Sequence, residues 1–342
     1  MKKISCSIIG CGRISRRHID VILKSLQKKF KIISVCDIDK SKAEATGKMI
    51  SVPYFNNMKE MINHQIADIA CILTESGNHP SHIVYLSKYY KNIIVEKPLS
   101  LNIKGAKQAI HACKKNKCRL FVVKQNRFNP AIVQLKNAIV SKRFKKIFLV
   151  TTRVRWTRKQ NYYDQAKWRG TKKLDVNVIA NQASHHIDLL LWLNGEVKSV
   201  FAYSKKSLAK IEMDDTVIAI LKFKNNSLGC IEATTATRPE DLEGSITVLG
   251  EGGSVEIAGF AVNKIKTWKF LNNKTSDKKI LLEYNENPPN VYGYGHIKFY
   301  ENIYKSINNK RISSIDGNEG MKSVILLEAI NKSLDLKKEI NL

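Results

Sequence analysis

Short apolar runs alternate with longer amphipathic stretches along the first part of the chain. The apolar runs are rich in β-branched residues and predict strands at 4–9, 32–36, 52–55, 68–73 and 92–95. The stretches between them predict helices near 15–28, 40–49, 58–64 and 80–89. Strands separated by single helices predict a doubly wound parallel sheet with right-handed crossovers. Ligands bind such sheets at the carboxyl ends of the strands, so functional residues are expected there.

The later part of the chain follows a different pattern. A helix is predicted at 129–142, a strand at 146–156 and a further helix over 181–188. Runs at 197–204, 215–223, 227–235, 245–249 and 254–257 then follow without helices between them, which predicts a mostly antiparallel sheet. Amphipathic helices are predicted at 297–308 and 319–336. A chain of 342 residues suits two domains, and the change of pattern predicts them at 1–124 and 125–342.

Composition favours a soluble cytoplasmic protein. Hydrophobic residues make up 43% of the chain and charged residues 26%, as in globular proteins. The first apolar run is interrupted by Gly10 and Gly12 and no small-residue cleavage site follows it, so a secretory signal is not predicted. No run approaches the roughly 18 apolar residues of a membrane span. Seven cysteines, an odd number without C-x-x-C spacing, predict reduced and mostly buried thiols.

The net charge of +28 leaves three interpretations open. It is a dispersed lysine bias, a nucleic-acid-binding surface, or a field that attracts an anionic, phosphate-bearing ligand. Only 12 of the 58 basic residues are arginine, and no arginine-rich arm, zinc-finger spacing or aromatic RNA-binding strand accompanies them. We therefore expect neither a nucleic-acid partner nor a membrane partner.

A glycine motif, G-C-G-R-I-S at 10–15, lies between the first predicted strand and the first predicted helix. Gly10 permits the tight turn, and Gly12 lets the backbone approach a pyrophosphate at the helix N-terminus. Asp37 ends the next strand, where a carboxylate binds ribose hydroxyls and repels a 2′-phosphate, which favours NAD over NADP. The alternative is a plain glycine turn and a surface aspartate. The predicted cofactor-binding residues here are Gly10, Gly12, Arg13, Ile14 and Asp37, and the fold class is α/β with an N-terminal Rossmann-type sheet.

The fourth and fifth strand ends carry further candidates. Thr74, Ser76 and His79 belong to a polar, turn-forming stretch after the fourth strand, and we expect them at the cofactor. No acidic or cysteine partner accompanies His79 and His82 nearby in the sequence, so no metal site is predicted. The fifth strand ends in E-K-P at 96–98, which puts Glu96 and Lys97 at the carboxyl edge, with Lys97 over the nicotinamide.

Together with the glycine motif, this E-K-P sequence resembles the Gfo/Idh/MocA oxidoreductase family. In that family the E-K-P lysine is catalytic, and the dinucleotide domain precedes an open-faced, mostly antiparallel sheet used for substrate binding and oligomerisation. The resemblance implies an NAD-dependent oxidoreductase with Lys97 as a catalytic residue. It also implies a C-terminal α+β domain and a homodimer or homotetramer.

The sequence N-Q-A-S-H-H-I-D at 181–188 is similar to the family pattern D-x-G-x-H-x-x-D. On one helix Asn181, His185 and Asp188 would share a face. The resemblance implies that His185 is catalytic, and the alternative is a core histidine with a backbone partner. Asn181 stands where the family has an aspartate, so we do not expect an acid relay through it.

Finer motifs, at 125–130, 168–171 and 290–296, resemble bacterial UDP-N-acetyl-2-amino-2-deoxyglucuronate 3-dehydrogenases, which make diaminouronic sugars for surface polysaccharides. They imply cofactor contacts from Trp168 and Arg169. Arg155 and Tyr163 follow the first C-terminal strand. One interpretation is that they contact the phosphates or the carboxylate of a sugar nucleotide, and the alternative is a basic strand end exposed to solvent. The predicted substrate-binding residues are Lys97, Arg155, Tyr163, Asn181, His185 and Tyr292. Val176-Asn177-Val178 replaces a glycine triplet of the subgroup, and Ala183 replaces a glycine, so the pocket is expected to differ.

These residues lead to one hypothesis and several rivals. In the hypothesis, a secondary alcohol of a sugar, the C3 hydroxyl of UDP-N-acetylglucosaminuronate, loses its proton to Lys97 with support from His185, while hydride passes to NAD. Burial and a positive nicotinamide would favour the neutral amine that a base needs. The rivals are a ketoreductase, a dehydrogenase for another sugar or an inositol, and a non-catalytic NAD sensor.

Overall fold

A computed structural model of the chain describes residues 3–284, 293, 295–309, 313 and 315–342. The chain forms two compact units. The first unit comprises Met1–Val123 and His296–Met321, and the second comprises Lys124–Gly295 and Lys322–Leu342. The domains predicted at 1–124 and 125–342 are continuous in sequence, whereas these units are not.

The first unit is discontinuous because a later part of the chain, at 315–316, pairs with its edge strand at 119–122. Val122 donates its backbone N–H to the carbonyl of Ile315 at 2.8 Å, and Phe121 pairs with Asp316 in an antiparallel bridge. Unpaired backbone groups at the edge of a sheet cost free energy when they are buried. Ile315 and Asp316 therefore complete the edge of this sheet.

The sheet of the first unit has the predicted parallel topology. Its strands are β1 (Ile4–Ile9), β2 (Phe30–Cys36), β3 (Tyr54–Phe55), β4 (Ile69–Ile72), β5 (Asn92–Val95) and β6 (Arg119–Val122). The order is β3-β2-β1-β4-β5-β6, and all neighbouring strands are parallel. β4 and β5 are buried along their whole length, as expected for strands covered on both faces. The sequence pattern missed β6.

Helices connect these strands. They are α1 (Arg13–Asp20), which continues as a π-helix over Val21–Ser25, α2 (Lys40–Ile50), α3 (Met58–His64), α4 (His79–Leu86) and α5 (Ile103–Lys115). The helix predicted at 15–28 therefore ends earlier, and α5 was not predicted. Side chains of Asp39, Asn57 and Asn102 accept N–H bonds in the first turns of α2, α3 and α5, which explains where those helices begin.

The second unit contains an eight-stranded sheet. Its strands are β7 (Ile147–Arg155), β8 (Val197–Lys205), β9 (Thr216–Phe223), β10 (Leu228–Thr234), β11 (Glu243–Gly250), β12 (Gly253–Ala258), β13 (Lys264–Phe270) and β14 (Ile340–Asn341). The order is β13-β12-β11-β7-β10-β9-β8-β14, in which β7 and β10 are parallel and the other pairs antiparallel. The predicted mostly antiparallel sheet is confirmed, although β13 and β14 were missed.

The remaining helices are α6 (Pro130–Val140), α7 (Gln160–Asp164), α8 (Val178–Asn181), α9 (Ser184–Asn194), α10 (Thr275–Glu283), α11 (Gly295–Asn309) and α12 (Gly317–Leu336). α9 packs against β7 and β11 and covers one face of the second sheet. The opposite face is open: on β9, Val217, Ala219 and Leu221 are buried, whereas Ile218 and Ile220 are exposed. This alternation is the pattern of a sheet with one covered face.

Two predictions about the chain as a whole can be compared with the structure. All seven cysteines are unpaired thiols, and six are buried while Cys230 is half-buried. Within the described part of the chain, no helix combines the length and the apolar character needed to cross a membrane.

The point where the strand order reverses depends on Gly10. This residue has φ +96°, and a Cβ added to it would lie 2.7 Å from the carbonyl carbon of Leu73, at the end of β4. Gly12, two residues later, has φ −75°, and a Cβ there would meet nothing within 4 Å. The ends of β1 and β4 thus approach each other too closely at Gly10 for any side chain.

Gly10→Ala should therefore lower the free energy of unfolding by about 2 kcal/mol or more, because it combines a left-handed backbone with a steric clash. The matched control is Gly12→Ala, which should change it by less than about 0.5 kcal/mol. Urea denaturation followed by circular dichroism measures both. Equal stability of the two variants would contradict this account of the turn.

Candidate active site

The N-terminus of α1 lies at the carboxyl edge of the first sheet and is open to a ligand. Gly12 is its N-cap residue, and no side chain caps the helix there. The first N–H groups of a helix have no acceptor within it, so those of Arg13 and Ile14 can bind an acceptor outside the helix. Ser15 is fully buried and its hydroxyl donates to the carbonyl of Gly12 at 2.6 Å, so it tightens the turn. The unfilled space beside Gly12 and the uncapped helix end fit the pyrophosphate of a dinucleotide.

Asp37 is held beside this turn by the backbone. Its Oδ2 accepts the N–H of Cys11 at 2.7 Å, and its Oδ1 accepts the N–H of Asp39 at 2.9 Å. Each carboxylate oxygen retains further acceptor capacity, which ribose hydroxyls can use. The geometry therefore fits the adenosine ribose of NAD, as the sequence predicts.

His79 joins the loops that follow β4 and β5. Its ring nitrogens lie 3.1 Å from the carbonyl oxygen of Thr74 and 2.7 Å from that of Pro98, and the ring is fully buried. Burial lowers the pKa of His79. Thr74 also contacts His82 through its hydroxyl at 3.0 Å, and Ser76 is buried in a short 3₁₀ turn. A neutral ring has one N–H, so His79 donates to one of these two carbonyls and only contacts the other. Its role toward the cofactor stays a prediction.

Glu96 and Lys97 follow β5, where the sequence places them. The Glu96 carboxylate accepts the backbone N–H of Lys97 at 3.0 Å and lies 2.9 Å from Nε2 of His18. Burial would raise the pKa of Glu96, but the hydrogen bond from His18 and the nearby charges of His18, Lys97 and His296 outweigh it and lower the pKa to about 2. Glu96 is therefore ionised and buried, and its partners His18 and Lys97 belong to the same unit. The side chain of Lys97 is half-buried.

In the second unit, His185 lies in the first turn of α9 and contacts Gln125. Nε2 of His185 is 2.9 Å from the amide nitrogen of Gln125. An amide nitrogen only donates, so Nε2 accepts this bond, and in the neutral ring the proton is on Nδ1. The residue is half-buried, in contrast to His186, which follows it and is buried. Gln125 thus selects one tautomer of the predicted catalytic histidine.

Asp188, one turn further along α9, anchors a buried ion cluster. Its carboxylate accepts two bonds from Arg127, each at 2.7 Å, and a bond from Lys124. Burial would raise the pKa of Asp188, but Lys124 and Arg127 outweigh it and lower the pKa to about 2. Ser323 accepts a bond from Lys124 at 3.2 Å. The sequence singled out Asp188 and the 125–130 motif separately, and only the fold shows that they are partners.

The prediction that Asn181, His185 and Asp188 lie on one continuous helix is wrong. α8 ends at Asn181, and α9 begins at Ser184 with Ala183 as its N-cap. The ladder breaks because the N–H groups of Gln182 and Ala183 both bond to the carbonyl of Val178. Val176, where the subgroup has a glycine triplet, has φ +69°, a conformation that favours glycine.

The other predicted residues of the second unit lie in local networks. Arg155 forms a bidentate pair with Glu232, at 2.6 and 2.7 Å, and contacts Glu243 at 3.0 Å. The buried hydroxyl of Tyr163 lies 2.9 Å from that of Thr235, and burial raises the pKa of Tyr163 to about 12.

Arg169 lies 4.3 Å from the ring centroid of Tyr162 and donates to the Tyr162 carbonyl at 2.7 Å, while Trp168 is adjacent to it in the chain. The cofactor role of Trp168 and Arg169 stays a prediction. Tyr292 lies outside the described residues, so its predicted substrate contact is not addressed by the structure.

His186 is a buried group that the sequence did not single out. Its ring packs edge-to-face on Trp156 with centroids 5.9 Å apart, and among the described residues neither ring nitrogen has a hydrogen-bond partner. A Cβ at Gly244 would come within 3.1 Å of its Nε2. Burial lowers the pKa of His186 to about 4. The ring is therefore neutral in the folded protein near neutral pH.

The chain matches two models of one family. Residues 4–124 match the oxidoreductase family, NAD-binding Rossmann fold, and residues 136–342 match the C-terminal alpha/beta domain of the same Gfo/Idh/MocA oxidoreductases. The chain therefore belongs to the Gfo/Idh/MocA family. It is an NAD-dependent oxidoreductase, which confirms the family and the cofactor predicted from the sequence.

Solved structures and curated relatives add detail. The WlbA dehydrogenase from Bordetella pertussis, in complex with NADH and UDP-GlcNAcA, is 36% identical with a TM-score of 0.92, over 100% of this chain and 99% of that one. The WlbA dehydrogenase from Chromobacterium violaceum, in complex with the same two molecules, is 37% identical with a TM-score of 0.93, over 100% and 96%. Myo-inositol 2-dehydrogenase from Thermotoga maritima is 22% identical over 98% of this chain and 97% of its own length.

Cofactor choice should depend on Asp37. Asp37→Asn removes the charge and keeps an acceptor for only one of the two backbone N–H groups, those of Cys11 and Asp39, so NAD should bind about tenfold more weakly and NADP should no longer be excluded. Asp37→Ser should also loosen the turn and weaken both cofactors further. Fluorescence titration with NADH and NADPH measures these affinities. A native protein that prefers NADPH would contradict the role of Asp37.

Stability should depend on pH through His186. Its folded pKa lies below that of the unfolded chain, so its contribution is complete above about pH 6.5 and is lost as the pH falls from about 6.5 to about 4. The loss should reach roughly 3 kcal/mol at most. His186→Leu should reduce this pH dependence in urea denaturation. The exposed His111 provides the control, since His111→Leu should leave the dependence unchanged, and an unchanged His186→Leu profile would refute the assignment.

Proposed function

We propose that the chain oxidises the C3 hydroxyl of UDP-N-acetylglucosaminuronate with NAD, as a step in the synthesis of surface polysaccharide sugars. The observation that carries this proposal is the similarity to the two WlbA dehydrogenases. Identities of 36% and 37% extend over the whole chain, and both of those dehydrogenases were solved in complex with UDP-GlcNAcA and NADH. The similar curated sugar and inositol dehydrogenases are 21–24% identical.

The chain supplies the groups that handle the proton. When it is bound, NAD accepts the hydride that leaves the oxidised carbon. The side chain of Lys97 takes the hydroxyl proton, because a neutral amine is a competent base. His185, whose Nε2 accepts a bond from Gln125, presents its other ring nitrogen as a donor that orients the alcohol or its neighbours. Gly10, Gly12 and Asp37 hold the cofactor and do not exchange protons.

Arg155 is a weaker candidate for binding the anionic parts of this substrate. Glu232 and Glu243 already neutralise its charge on the open face of the second sheet, and Arg153 is paired with Glu243 and Glu256. A phosphate would have to compete with these carboxylates. The net charge of +28 still favours an anionic substrate over a neutral one through the long-range field.

The homodimer or homotetramer implied by the family resemblance stays a prediction. The open face of the second sheet supports it, because four large apolar residues there are about half exposed or more. They are Tyr203 (69%), Ile218 (48%), Ile220 (58%) and Leu228 (51%). A contiguous exposed apolar face is typical of an interaction surface.

A second candidate is a dehydrogenase for a free polyol. It is favoured by the full-length match to myo-inositol 2-dehydrogenase, although at 22% identity. The two functions separate in one assay, in which NADH formation is measured with UDP-N-acetylglucosaminuronate, UDP-N-acetylglucosamine and myo-inositol. Turnover with the uronate alone supports the proposal. Turnover with myo-inositol alone would replace it by the second candidate.

The chemical step should depend on Lys97 and His185. Lys97→Ala should lower turnover about 100-fold or more, the scale of general acid–base catalysis, and His185→Ala should lower it less. Asn181→Ala should cost less than either, because an amide does not exchange protons. NAD affinity, measured by calorimetry, should change little in all three variants. Near-normal turnover in Lys97→Ala would refute the mechanism, and loss of NAD binding would make Lys97 a cofactor ligand.

A further inference from the structure

A chain of buried hydrogen bonds ends at the backbone of Lys97. The Tyr300 hydroxyl, on α11, lies 2.7 Å from Nδ1 of His18, on α1. Nε2 of His18 lies 2.9 Å from Oε1 of Glu96, and Oε2 of Glu96 accepts the N–H of Lys97 at 3.0 Å. His18 and Tyr300 have no exposed surface, and Glu96 is 6% exposed. All four residues belong to the first unit.

The directions of these bonds follow from the ionisation states. The pKa of Glu96 is lowered to about 2, so its carboxylate only accepts, and Nε2 of His18 must donate. Burial raises the pKa of Tyr300, so its hydroxyl keeps its proton at hydrogen-bond distance from Nδ1 of His18. Both donors that bind Glu96, Nε2 of His18 and the N–H of Lys97, thus point toward the carboxylate, and bonds to a charged acceptor are stronger than bonds to a neutral one.

We propose that His18 and Tyr300 are positioning residues for Lys97: they hold the Glu96 carboxylate in the orientation that fixes the Lys97 backbone and places a negative charge beside its amine. The inference rests on the role proposed above for Lys97. A buried carboxylate with a single partner could rotate, whereas His18 and the Lys97 N–H bind one oxygen each. The lysine is thereby held at the end of β5.

A buried metal ion is the competing interpretation of the same cluster. The ligand atoms of His18, Glu96 and His296 all lie within 4.8 Å of one another. However, Nε2 of His18 and Oε1 of Glu96 are already at hydrogen-bond distance, and Nδ1 is engaged by Tyr300. A metal would have to displace these bonds. The hydrogen-bond chain uses the ligand atoms of His18 and Glu96 without any metal ion.

The first test compares variants of His18 and Tyr300 by turnover per folded molecule with the nucleotide sugar. His18→Leu, which leaves Glu96 Oε1 without its donor, should lower kcat about tenfold or more with little change in KM for NAD. His18→Gln, whose amide can donate to the same oxygen, should recover part of that loss. Tyr300→Phe should lower kcat about twofold to tenfold, the range of one hydrogen bond.

Tyr90→Phe is the matched control, since Tyr90 is another buried tyrosine of the same unit, 2% exposed, and it is not a member of the hydrogen-bond chain. It should leave kcat unchanged. Equal kcat losses in Tyr90→Phe and Tyr300→Phe, or in His18→Gln and His18→Leu, would mean that packing alone is affected and would overturn the proposal.

The second test requires no substrate. Acylation of Lys97 is followed against pH by peptide mass spectrometry in the native protein and in Glu96→Gln. Removing the carboxylate charge should favour the neutral, reactive amine, so half-maximal labelling should move to lower pH. An unchanged labelling curve would overturn the inference.

Two outcomes separate this inference from the proposed function and from a metal site. A protein without activity on UDP-N-acetylglucosaminuronate that still shows the labelling shift would refute the proposed function and support the positioning of Lys97. One equivalent of zinc or another transition metal in the purified native protein, lost in His18→Leu, would overturn the hydrogen-bond chain.

Discussion

Burying an ionised carboxylate costs several kcal/mol unless it is fully partnered, and both units of this protein are organised around such a group. In the first unit Glu96 is partnered by His18 and by the Lys97 backbone. In the second unit Asp188 is partnered by Lys124 and Arg127. Each carboxylate is close in the chain to a proposed reactive side chain. Glu96 directly precedes Lys97, and Asp188 lies one helical turn after His185. The requirement for complete pairing therefore restricts the backbone where the chemistry is expected.

The cofactor site follows from a second constraint, the convergence of parallel strands. The carboxyl ends of β1 and β4 meet where the strand order reverses, and Gly10 is the residue that allows them to approach. Asp37 then anchors the end of β2 to the same turn through the N–H of Cys11. The expected pyrophosphate contact therefore depends on the backbone of this turn, whereas the expected ribose contact depends on the side chain of Asp37.

Some basic residues of the chain are paired with carboxylates, whereas most of the surplus positive charge is spread over other positions. On the open face of the second sheet, Arg153 and Arg155 are paired with glutamates, so they add little net charge locally. The surplus of 58 basic over 30 acidic residues therefore comes mainly from other positions, chiefly lysines. Such a surplus raises the local concentration of anionic ligands without specifying which group binds them.

The sequence by itself determined the parallel sheet, the glycine turn, Asp37 and the position of Lys97 at a strand end. These depend on periodicity, turn chemistry and chain order, which act over a few residues. It missed β6 and α5, and it predicted a continuous helix through 181–188, because the break after Asn181 depends on hydrogen bonds to one carbonyl. Only the tertiary structure brought Tyr300 to His18, across 282 positions, and His18 to Glu96, across 78. No local pattern encodes such pairings, since the polar partners of a buried group are chosen by packing in three dimensions.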